Sequence, residues 1–126
     1  MADDKPQSSL AEIKAGLGDL SSVKVFNNQV LVGIWRRPEK TKGGIILTDK
    51  TRDEDKWQGK VGYVLKKGPL AFKSDDRVQF ADDVSEGDCV VYRTSDGFPL
   101  DINGIHCRLL EDVHVKAIVT DPAVIW

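Results

Sequence analysis

The sequence predicts an all-β domain, a small barrel or sandwich of short strands. Three observations carry that prediction. From Val23 onward apolar residues alternate with a period of two rather than 3.6. Turn signals recur between the alternating segments, at Asn27-Asn28, Gly68-Pro69, Asp96-Gly97 and Asn103-Gly104. No helical period runs through the chain after residue 22.

The elements follow in order. Residues 1–22 form an N-terminal arm rich in Asp, Ser, Lys and Gly, with Leu10, Ile13, Leu17 and Leu20 on one side of a short helix over residues 9–20. Ser9 with Glu12 three residues later is a capping-box pattern, and Gly16 and Gly18 weaken the helix. A helix this short is marginal alone. Two readings stay open: a frayed tail, or an arm that orders by docking its apolar stripe on another surface. Val23 and Val25 read as a strand, then Val30, Val32 and Ile34 as a second, alternating with Leu31, Gly33 and Trp35. Residues 57–65 are strand-like, with Gly59 and Gly62 marking a bend or bulge. A polar excursion over 70–83 holds Phe72 and Phe80. Residues 84–92 turn into a strand, 100–110 contain the Asn103-Gly104 hairpin, and 113–119 alternate as a final strand that Asp121-Pro122 ends.

The 126 residues suit one domain, with 40% apolar and 30% charged residues and a formal net charge of -2. Acids and bases are interspersed, so no basic stripe points to nucleic acid. No stretch approaches the roughly 18 apolar residues of a membrane span. The first residues are polar and acidic, unlike a secretory signal. Cys89 and Cys107 lie in alternating segments and read as reduced strand residues rather than a disulfide.

Catalytic and metal chemistry find little support. Cys89, His106, Cys107 and His114 match no zinc spacing, and neighbours such as His106 and Cys107 point to opposite faces of a strand. The acidic clusters are interleaved with Lys and Arg and lack the fixed alternating offsets of a calcium loop. The reading is therefore a non-enzyme with no metal and no cofactor.

The stretch between Trp35 and Trp57 is different. A connection of that length without structure is uncommon unless it is functional. Most of it is charged, yet it holds Ile45, Ile46 and Leu47 behind Gly43 and Gly44. Burying one such aliphatic side chain is worth roughly 1.5–3 kcal/mol. Three of them are therefore either buried in the fold as a short edge strand or kept for a partner, and the glycines allow unusual backbone beside them.

In order and spacing the chain resembles the GroES co-chaperonin family from about Val23 to Thr120. The anchors are residues 28–32, the Thr41-to-Thr48 segment around Gly43-Gly44-Ile45-Ile46-Leu47, residues 58–61, Val64 with Gly68-Pro69, residues 87–92, residues 102–110, Glu111-Asp112, and Ala117 to Val119. The resemblance implies an irregular antiparallel β-barrel assembling as a seven-membered dome. It implies a loop whose aliphatics dock between two helices of a chaperonin ring, here Ile45, Ile46 and Leu47, shaped by Gly43 and Gly44. It further implies that 70–83 is the roof hairpin, and that the strands near Val25 and Val119 pair between subunits of a homo-oligomer.

Two parts have no counterpart in that pattern: the arm 1–22 and the extension 121–126, which ends on Trp126. With Trp35, Trp57, Phe72, Phe80 and Phe98 they suggest a divergent, phage-encoded relative with an aromatic surface suited to permanent interfaces. The leading expectation is a cytoplasmic co-chaperonin that assists folding of phage capsid proteins. The alternative is a structural virion protein, a capsid decoration protein anchored on a phage capsid protein by Leu10, Ile13, Leu17, Leu20 and Trp126.

Overall fold

The computed structural model describes residues 7–36, 60–74 and 84–122. Within them the chain forms one helix, α1 (Leu10–Leu17), and six strands: β1 (Gln29–Ile34), β2 (Val61–Lys67), β3 (Cys89–Val91), β4 (Phe98–Ile102), β5 (Ile105–Glu111) and β6 (Ala117–Val119). The strands make one antiparallel sheet in the order β4-β5-β1-β2-β3-β6. This is the all-β architecture that the alternation indicated, and it fits a GroES-like fold.

The sheet buries both faces around its centre. On one face Val30, Val32, Val64, Val90, Tyr92 and Leu110 pack with Ala71, Phe72 and Val84. On the other, Leu31, Leu65, Ile105 and Cys107 pack with Val25 and with Ile13 and Leu17 of α1. The helix and the sheet thus share one apolar cluster. Covered twice, β1 is buried at every position from Val30 to Ile34, as a strand between two layers must be. A bulge between Leu31 and Val32 shifts the β2 register, so that Lys66 and Leu65 follow each other on the helix-bearing side.

α1 starts as its capping signal indicates, with the Glu12 amide donating to Ser9 Oγ at 3.1 Å. The Glu12 carboxylate reaches one residue further back than a standard capping box and accepts from the Ser8 amide at 3.0 Å. The helix stops at Leu17, short of residue 20, because Gly18 takes a positive φ of 71° with ψ -142°, a conformation that suits glycine. Asn103 then donates from Nδ2 to Leu17 O at 2.7 Å, tying the last turn to the hairpin between β4 and β5. That hairpin is the expected Asn-Gly turn, with φ of 51° and 83° at its two central residues.

Several local expectations are corrected. Residues 23–26 form no strand in this chain, and Val23 and Val25 pack against α1 and the sheet. The strand expected over 57–65 occupies Val61–Lys67, and residues 57–59 lie outside the described ones. The strand expected over 113–119 is split into a 3-10 turn, Asp112–His114, and the short β6. The turn is fixed by Asp112, whose buried carboxylate accepts from Asn28 Nδ2 and from the Phe72 amide, both at 3.0 Å. Trp35 and Phe72 are core residues, 3% and 6% exposed, and add nothing to an aromatic surface, whereas Phe98 is 54% exposed. Trp57, Phe80 and Trp126 lie outside the described residues.

Candidate functional site

Gly43, Gly44, Ile45, Ile46 and Leu47 lie outside the described residues, as does Trp126. What the structure places is the stem from which their segment leaves the sheet. Segment 37–59 joins β1 to β2, which are neighbouring antiparallel strands. Beyond Ile34 the pairing continues through Trp35, whose amide donates to Val61 O at 2.9 Å. On the return side the Tyr92 amide donates to Lys60 O at 2.9 Å. Both ends of the segment are therefore held side by side at one edge of the core. The Trp35 ring packs there against Val61 and Cys89.

A third strand of chain joins this stem from the N-terminus. The Arg36 amide donates to Gln7 O at 2.9 Å, and the Trp35 indole Nε1 donates to Ser8 O at 3.0 Å. The Gln7 side chain is buried, and its Nε2 donates to Ile34 O at 2.7 Å and to His106 O at 3.0 Å. Its Oε1 accepts from the His106 amide at 2.8 Å. The paired register of β1 and β5 ends at Gly33 opposite Cys107. Gln7 bridges the next two residues, so buried backbone groups there stay satisfied.

The stripe of α1 is docked on this chain's own sheet. Ile13 and Leu17 are 0% and 1% exposed, and Leu10 and Leu20 pack half-buried against the same cluster. Burial of the first two, at about 1.5–3 kcal/mol each, explains why so short a helix is ordered.

Neither thiol is poised for chemistry. Burial pushes Cys89 up to about 11 and Cys107 up to about 12, with Asp121 and Asp101 respectively adding in the same direction. Both are free cysteines. Burial likewise raises the Tyr92 hydroxyl above its usual range. His106 Nδ1 contacts Asp101 Oδ1 at 2.7 Å, while neighbouring Cys107 points into the opposite layer. Among the described residues no three His, Cys, Asp or Glu side chains converge on a point, and no helix is long and apolar enough to cross a membrane.

The residue that sequence reasoning missed is Gln7. A lone glutamine in a polar tail carries no periodicity or spacing that signals a buried role. The family model described as Chaperonin 10 Kd subunit matches residues 22–119.

Proposed function

Because the chain belongs to the chaperonin 10 kDa subunit family, we propose that it is a co-chaperonin that binds a chaperonin ring through Ile45, Ile46 and Leu47, with Gly43 and Gly44 shaping the turn before them. The observation that carries this reading is the span of the family match, which runs through that segment and through both sides of its stem. The role is that of a non-enzymatic protein-binding module.

The energetics suit a cap that comes on and off. Three aliphatic side chains yield a gross gain of ~5–8 kcal/mol on burial. Ordering a segment on binding takes back roughly 2–5 kcal/mol. A single segment then binds weakly, and several copies on one ring bind together through a high effective concentration. The family implies such an assembly. Residues 23–26 and the outer edge of β6, with Ile118 exposed, are the surfaces proposed to pair between copies.

A cytoplasmic location, a phage source and capsid proteins as clients belong to the same proposal, the last two resting on the arm and the C-terminal extension alone. The virion-protein reading calls for an arm whose apolar stripe faces a foreign shell. Ile13 and Leu17 instead face this chain's own sheet, which favours the co-chaperonin. The test is Ile46→Asp: capture by an immobilised chaperonin ring should be lost while the thermal melt stays unchanged. Retained capture rejects the loop assignment.

A further inference from the structure

We infer that Gln7 is a positioning residue for the partner-binding loop, and that residues 7–17 form an intrachain clamp on the stem of that loop. The inference deepens the co-chaperonin reading and rests on it.

The geometry begins where β1 and β5 part. The β1–β5 register ends at Gly33 opposite Cys107, and the next two residues, Ile34 and His106, turn their backbone groups to Gln7. The Gln7 amide meets these groups with both Nε2 and Oε1. A planar primary amide that donates twice and accepts once is well matched to two carbonyls and one N–H. Ser8 and Gln7 carbonyls then hold Trp35 and Arg36, the last two described residues before segment 37–59. The stem is thereby flanked on both sides, by Val61 of β2 and by the N-terminal segment.

The clamp is anchored further along the same strand. Ile13 packs directly over Gly33, and the far end of α1 is tied to the β4–β5 hairpin through Asn103. A shift of α1 is therefore transmitted to the point where the loop departs. Residues 7–17 fall outside the matched span 22–119.

The functional consequence is preorganisation. A loop whose root is fixed has less freedom to lose on docking, so removing the clamp weakens each loop's contribution. Because several loops act together, a small loss per loop is multiplied over the assembly.

The test uses the full chain with Gln7→Ala and with Gln7→Met, which keeps the length of the side chain but none of its hydrogen bonds. Leu110→Val, on the opposite face of the sheet, serves as a destabilised control. Native-state hydrogen exchange should lose protection at Trp35, Arg36 and His106 in both Gln7 variants, but not at Val30 and Leu110 at the other end of the same ladder. Affinity for the chaperonin ring should fall roughly three- to tenfold in both Gln7 variants and stay unchanged in Leu110→Val at a matched loss of melting temperature. Unchanged exchange at Arg36 overturns the clamp, and so does an equal loss of affinity in Leu110→Val. If the wild-type chain is not captured at all, the loop reading falls, and the clamp is judged by the exchange pattern alone.

Discussion

Ile13 occupies the space that a side chain on Gly33 would need. A β-carbon at Gly33 would lie 2.8 Å from Ile13 Cγ2 and 3.3 Å from Leu65 Cδ1. The close approach of α1 to β1 thus depends on glycine at this position, and the Ile13 methyl is too near its own backbone to swing aside. Gly33→Ala should destabilise the protein by about 1–3 kcal/mol through overpacking. Thermal denaturation reads the loss, and hydrogen exchange should place it in α1 rather than in the β2–β3 pair.

Asp112 ties three segments together, and its two acceptor bonds run to Asn28 and to the Phe72 amide. Phe72 holds an unusual φ of 60°, which this bond helps to fix. Asp112→Ala leaves both donors without their acceptor and should cost about 2–4 kcal/mol. Urea denaturation checks the value, and a loss below about 1 kcal/mol would show that the two donors find other partners.

Asn103 serves the hairpin and the helix at once. Its φ of 51° suits the two-residue turn, and its side chain satisfies Leu17 O. Asn103→Ala should cost about 1–2 kcal/mol, more than loss of a surface hydrogen bond alone. The helical signal of the arm should weaken more than the strand signal, which circular dichroism and exchange at α1 can separate.

The buried thiols make stability sensitive to alkali. The ordinary thiol value is 9.0, whereas Cys89 and Cys107 are pushed up to about 11 and about 12. The unfolded chain loses these protons near pH 9.0 and the folded chain only at about 11 to 12, so rising pH favours the unfolded state across that window. Stability should be unaffected by these groups below pH 9.0 and fall progressively above it. Replacing both by Val should flatten the alkaline limb of a melting-temperature profile. Iodoacetamide at neutral pH should label neither thiol until the chain unfolds.

Much of the fold was legible because its signals are local. The Asn103-Gly104 turn, the Ser9 cap and the stripe at Leu10, Ile13, Leu17 and Leu20 each lie within a few residues of what they determine. What the stripe docks on was not legible, because nothing near residue 13 signals residue 33. The burial of Leu31 and Gly33 was the missing hint: β1 reads as a nearly continuous apolar run, which calls for cover on both faces. Trp35 and Phe72 were misjudged as surface aromatics because both sit beside polar stretches. Trp35 is drawn in by Val61 and Cys89, and Phe72 by the Asp112 bond. For the candidate site, the apolar motif stood out in the sequence against its charged flanks, whereas the stem depends on contacts spanning 27 to 99 residues.

Sedimentation velocity of a chaperonin ring mixed with this protein tests most directly the proposed role of Ile45, Ile46 and Leu47 in chaperonin binding. The wild-type chain should move with the ring, and Ile46→Asp, folded and assembled as the wild type is, should remain in the slow fraction. Co-sedimentation of both to the same extent, or of neither, would contradict the account.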